Sequence, residues 1–249
     1  MHIILDPWFY VFAVPAVLIV GISKSGFGVG FGSLSVPVMA MTVTVPQAAA
    51  LMMPLLFVID VLGLRVFKKD FDKKLLFFML PFGLLGTVIG TFLFRYLSAQ
   101  AVAVCVGFFT LLFLAQRLLF PPKADSPLPP KWLGAGLVTL SGFTSFIAHA
   151  GGPPINAFAI PLKLKPVVFA ATLSYFFFVI NLSKWIPYAY LGLLEWRHFW
   201  TSVLLMPIAV VGVWLGQRMA RRISPTLFYR LVYMGMLVSG VKLLWDGLQ

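Results

Sequence analysis

A chain of 249 residues that is 61% hydrophobic, only 10% charged and has a mean hydropathy of +0.99 leaves no material for a soluble domain and reads as an all-α polytopic membrane protein. Its formal net charge of +12 does not point to nucleic acid, because no basic soluble face exists to carry such binding; lysines and arginines gather in the cytoplasmic loops of membrane proteins. The one cysteine, Cys105, lies in an apolar run and excludes an internal disulfide, and MHIILDPWFY lacks the positive n-region of a signal peptide, so no cleavage is expected.

In chain order, an apolar arm from Trp8 to Val20 leads into GISKSGFGVGFGSLSVPVMAM, Gly21 to Met41, and a second arm runs from Leu34 to Val45. Gly26, Gly28, Gly30 and Gly32 each cost about 1 kcal/mol of helix propensity relative to alanine, which predicts a break. Both arms are shorter than the ~20 residues of a comfortable span, so residues 8–45 read as a broken or re-entrant hairpin. Spans are predicted over 47–67, 75–97 and 101–120, with the basic loop KKDFDKK after the first. PPKADSPLPPK, Pro121 to Lys131, is the one linker-like stretch and ends the first unit at about residue 122.

The second half repeats the first. Its hairpin occupies 132–162, broken at HAGGPP, His149 to Pro154, and its spans are 167–190, 199–219 and 226–244. LPFGLLGTVIGTFLFRYLS, Leu80 to Ser98, aligns without gaps to MPIAVVGVWLGQRMARRIS, Met206 to Ser224; Gly86 and Gly90 fall on Gly212 and Gly216, a spacing that suits close helix contact. The chain therefore divides into repeats at 1–122 and 132–249, joined by a linker at 123–131.

Charge sets their relative orientation. If each glycine-rich segment crosses once, ten basic residues lie on one side and seven on the other. If each segment doubles back, Arg65, Lys68, Lys69, Lys73, Lys74, Arg117, Lys123, Lys131, Lys163, Lys165, Arg218, Arg221, Arg222 and Arg230 share one side, and only Arg95, Arg197 and Lys242 lie opposite. The second split fits the positive-inside rule far better and predicts inverted-topology repeats with both chain ends outside. Lys24 and Lys184 remain within the membrane.

Intramembrane ionisable groups mark function by default. Lys24 is either such a group or snorkels to an interface. Lys184 follows Asn181 by one turn on the same helix face, and either joins a site there or reaches headgroups beside Trp185 and Tyr188. Asp60 corresponds to Asn181 in the other repeat; it is a proton or cation site, or the counter-charge of Arg65 or Lys24. His149 sits in the second tip and could sense pH, donate to an oxyanion or cap backbone. Ser25, Ser33 and Ser35 add hydroxyl donors, as do Thr144 and Ser145 before the second break, and Asn156 could donate its amide to a ligand or cap a helix. Gly28, Gly30 and Gly32, with Gly151 and Gly152, let backbone N–H groups approach a ligand at a positive helix end, which suits an anion. His198, beside Trp196 and Trp200, is expected in an outer aromatic belt. No metal-ligand cluster, catalytic triad or GK[ST] phosphate loop is present, so neither an enzyme nor a cofactor is expected.

SKSGFGVGFGSLSVPVMA, Ser23 to Ala40, and GFTSFIAHAGGPPINAF, Gly142 to Phe158, resemble the paired glycine-rich motifs of the TauE/SafE family of sulfite and organosulfonate exporters. The resemblance covers essentially the whole chain, departing from many relatives where GVGFG replaces consecutive glycines. It implies a multi-pass carrier of the bacterial cytoplasmic membrane for sulfur oxyanions or sulfonates such as sulfoacetate. The expected partners are the small anion and the bilayer, with homodimerisation left open. The competing expectations are an anion channel and a non-transporting membrane anchor for a sulfur-metabolising enzyme.

Overall fold

A computed structural model describes residues 3–26, 35–66, 70–94, 96, 98–119, 130–220, 222 and 224–248, and the described elements are all helical. In chain order they are α1 (Pro7–Gly26), α2 (Ser35–Met39), α3 (Val45–Val66), α4 (Lys73–Leu93) and α5 (Ala99–Leu119). There follow α6 (Lys131–Ala148), α7 (Gly152–Ala159) running into a 3₁₀ turn at Ile160–Leu162, α8 (Pro166–Tyr190), α9 (Trp196–Ala220) and α10 (Pro225–Leu248). Among the described residues, five stretches are long and apolar enough to cross a membrane: Pro7–Ser25, Gln47–Arg65, Lys73–Leu93, Pro166–Tyr190 and Trp196–Met219.

The first arm is longer than its apolar run suggests. α1 continues through Gly21 and Lys24 to Gly26, giving 20 residues, or about 30 Å of helix. The propensity cost of Gly21 is offset by what its bare face permits. A Cβ built on Gly21 would stand 3.0 Å from the Cα of Gly212, so α1 and α9 touch backbone to backbone there. The other pair of helices meets in the same way, since a Cβ on Gly86 in α4 would overlap the carbonyl of Thr139 in α6. α1 thus packs on α9, and α4 on α6, each contact joining a helix of the first half of the sequence to one of the second.

α5 and α10 pack on each other, while α3 and α8 are the most enclosed of the five candidate spans and contact one another. α3 opens with a reciprocal cap. The N–H of Thr44 donates to Gln47 Oε1 at 3.1 Å, and the N–H of Gln47 donates to Thr44 Oγ1 at 3.4 Å. Phe9, Val17, Leu51, Leu55 and Leu205 form one core, between α1, α3 and α9. Met79, Ile155, Leu173 and Phe176 form a second, between α4, α7 and α8. The two enclosed helices carry Asp60 and the Asn181–Lys184 pair, so the fold delivers every one of these polar groups to its interior.

Candidate functional site

The second break is built by its own hydroxyl groups. α6 ends on His149, which adopts the left-handed conformation (φ 50°), and the N–H groups of His149 and Ala150 return to the carbonyls of Ser145 and Thr144. Ser141 Oγ donates to the carbonyl of Gly151 at 2.7 Å, and Thr144 Oγ1 to that of Ala150 at 3.1 Å. These bonds satisfy carbonyls that an interrupted helix would otherwise leave bare in an apolar surrounding. The return arm begins Gly152-Pro153-Pro154, and its prolines have no N–H, so the first turn of α7 offers the amide of Gly152 alone. Side chains must supply most of what this break offers to a ligand.

They do so through one connected network. Lys24 Nζ lies 2.5 Å from Asp60 Oδ1. Asn181 Nδ2 donates to Asp60 Oδ2 at 2.7 Å, and Lys184 Nζ donates to Asn181 Oδ1 at 3.0 Å. The same Nζ donates to the carbonyl and the hydroxyl of Ser145, both at 2.7 Å, and lies 3.2 Å from His149 Nδ1. His149 Nε2 in turn lies 3.1 Å from the carbonyl of Ala49 in α3. A carbonyl only accepts, so Nε2 carries the ring proton and Nδ1 presents a lone pair to Lys184. The Ser145 carbonyl, Asn181 Oδ1 and His149 Nδ1 are then three lone pairs around one nitrogen, which calls for all three protons of an ammonium.

Lys24 and Lys184 are 6% and 0% exposed, so neither snorkels. Lys24 leans toward the Phe177 ring, 5.6 Å from its centroid, and its carbonyl accepts from Ser174 Oγ at 3.3 Å. Of the counter-charges open to Asp60, the structure selects Lys24; Arg65 is exposed at the end of α3. Tyr188 faces inward, its hydroxyl bonded to the carbonyl of Phe146 at 2.6 Å and its ring stacked on His149 with centroids 6.2 Å apart.

Gly151 touches this centre from the side: a Cβ there would come within 2.8 Å of both Phe177 and Ser145. Gly152 is buried, and Gly26 closes α1. Asn156 is wholly buried with neither amide atom partnered, so it does not cap a helix, and the buried Ser25 Oγ is unpartnered as well. Gly28, Gly30 and Gly32 lie outside the described residues. His198 departs from the aromatic-belt expectation: it is 5% exposed and turned toward Glu195, 4.0 Å away, while the neighbouring Trp196 is 78% exposed.

Sequence reasoning named both lysines, Asp60, Asn181 and His149 and took the Ser145 hydroxyl as a donor before the second break, but did not place Ser145 or the Ala49 carbonyl beside the lysines. One signal for Ser145 was present. Lys24 and Ser145 are separated by 121 positions, as are Asp60 and Asn181, so the offset read between the two halves of the sequence recurs within the cluster. The Ala49 carbonyl carried no such signal, since a helical carbonyl becomes a partner only once another helix is placed beside it.

The left-handed backbone of His149 and its ring make separable contributions. Glycine is the preferred residue at such a cap and removes a conformational cost of about 1–2 kcal/mol, while the lost ring bond to Ala49 is worth about 0.5–1.5 kcal/mol. The variant His149→Gly is therefore expected to melt within a few degrees of the parent while losing substrate flux. Thermal unfolding and vesicle flux measured on the same preparation check this; a large fall in melting temperature would make His149 a structural residue.

Enclosed helices around a buried ionic centre define a polytopic membrane protein that has placed charge where lipid-facing proteins avoid it. A family model described as Sulfite exporter TauE/SafE matches residues 13–243. The chain belongs to the TauE/SafE family, a family of membrane transporters. No curated protein and no solved structure is matched by the chain.

Proposed function

We propose that this protein exports a small sulfur-containing anion, sulfite or an organosulfonate such as sulfoacetate, across the bacterial cytoplasmic membrane by alternating access around the two helix breaks. The observation that carries the anion reading is the pairing of charges. Asp60 is the one acidic residue within α1, α3, α6, α7 and α8, and Lys24 occupies it. Lys184 is left fully buried among neutral acceptors. A buried charge without a counter-charge is costly, and an anion that brings one relieves part of that cost. The unpartnered amide of Asn156 and hydroxyl of Ser25 are further donors for the oxyanion.

Alternating access is supported by the paired construction. The helices that lead into the two glycine-rich stretches, α1 and α6, contribute residues 121 positions apart to one centre, and each is braced by a helix from the other half. With the charge asymmetry of the loops, this favours two inverted repeats, each a doubling-back hairpin plus three spans. Both chain termini then lie outside. A reporter enzyme fused after Gln249 is expected to be active only outside the cytoplasm; cytoplasmic activity would overturn the inverted arrangement.

The function itself is tested with purified protein. Sulfite, sulfate, thiosulfate, taurine, sulfoacetate and simple carboxylates are screened for thermal stabilisation, and the best is followed into vesicles. At least one sulfur anion is expected to raise the melting temperature and show saturable counterflow. Flux without saturation would identify a channel, and stabilisation by none of them would favour an anchoring subunit.

A further inference from the structure

The charge inventory of the centre reaches beyond the identity of the anion to its valence and to how the membrane potential acts on the cycle. We propose that the empty carrier bears one positive charge at this site and that the carrier holding a monovalent anion bears none. The potential then acts on the return of the empty carrier and not on the loaded step. This rests on the anion-transport reading above.

Lys24 and Asp60 are in contact and cancel. His149 is neutral, because Nε2 donates to the Ala49 carbonyl while Nδ1 accepts from Lys184. Lys184 keeps its full charge, because three lone pairs surround its nitrogen and a neutral amine has only two protons to give them. No further charged group belongs to α1 or α7. The other cations of α3, α6 and α8 are Arg65 and Lys131, both exposed at helix ends. One positive charge therefore remains in a place that water reaches poorly.

A monovalent anion makes that site neutral, which is the cheapest state to carry through a medium of low dielectric constant. A divalent anion overshoots and leaves a negative charge of the same size. The site accordingly favours monovalent ligands, so of the sulfur anions proposed above it selects hydrogensulfite and simple monosulfonates over the dianions sulfite and sulfoacetate. With the inside of the cell negative, the potential draws the empty, positive carrier toward its inward-facing state, where it meets cytoplasmic anion. It then crosses loaded and neutral, releases, and returns positive. Each cycle moves one negative charge outward, the direction in which the potential drives an anion.

The test uses the full-length protein at high density in planar bilayers, with gluconate as the bulk anion and methanesulfonate as the monovalent probe. Ethane-1,2-disulfonate is the divalent probe, and tracer counterflow first establishes which of the two exchanges. Voltage steps on the anion-free protein are expected to give a transient displacement current. Saturating methanesulfonate should suppress it, and ethane-1,2-disulfonate should reverse its sign. In vesicles, methanesulfonate exchange should be insensitive to voltage. Net efflux should rise about sevenfold per 100 mV, inside negative, for a full charge and a midway barrier. The variant Lys184→Met should give no displacement current, whereas Lys184→Arg should retain it.

The proposal is overturned if the anion-free protein shows no displacement current, if the current is unchanged by a methanesulfonate that demonstrably exchanges, or if exchange follows voltage as steeply as net efflux. If no anion exchanges while the displacement current is present, the transport reading fails and the charge assignment stands.

Discussion

Lys184→Met is expected to abolish anion binding while leaving a folded protein. Among the described residues of the centre the Lys184 ammonium is the one buried charge without a counter-charge, and in the proposed function it is the group that an incoming anion neutralises. Truncating one partner of a buried charge pair costs about 2–5 kcal/mol, which corresponds to roughly a 30-fold to several-thousand-fold loss of affinity. Stability moves much less, because two effects oppose each other. The variant strands three acceptors, the Ser145 carbonyl, Asn181 Oδ1 and His149 Nδ1. It also removes a desolvated charge and keeps an apolar stem of similar volume, an exchange that is often close to neutral. Thermal unfolding with and without the stabilising anion separates the two: the melting temperature of the empty protein should change by a few degrees and the ligand-induced increment should vanish. Wild-type flux in this variant would show that the anion is held elsewhere.

Asp60→Asn carries the largest expected loss of stability. It leaves Lys24 buried with no counter-charge and raises the charge of the centre by one unit, and breaking a buried pair in this way costs about 3–5 kcal/mol. Asn181, which donates to Asp60 Oδ2, could turn its amide to meet a new asparagine, so the penalty arises mainly from the lysine. The double variant Lys24→Met/Asp60→Asn should accordingly recover most of the loss, because no unpaired charge is then left where the ion pair stood. A double-mutant cycle on unfolding free energies measures the coupling. If the single variant costs less than about 1 kcal/mol, or the double variant is no better than the single, the ion pair does not hold the site together as described.

What could be read from the residues, and what could not, divides along the range of the interactions. The break at Gly151–Gly152 is legible because glycine and proline act on their own backbone, and the shared face of Asn181 and Lys184 is legible because three positions make nearly one helical turn. Burial of Lys24 was one of two readings, and the partner of Asp60 one of several, because Arg65 lies nearer in sequence. The choice required α1 to run on to Gly26, and that extension depends on a glycine in a different half of the chain meeting Gly21.

The sequence by itself determined the membrane class and the residue types that could meet an anion, since composition and periodicity are properties of the chain before it folds. Only the tertiary structure decided that Lys24 is neutralised and Lys184 is not. Both lysines stand in apolar runs and look alike there; what separates them is that α3 brings a carboxylate to one, whereas α6 brings the other a carbonyl, a hydroxyl and a ring nitrogen.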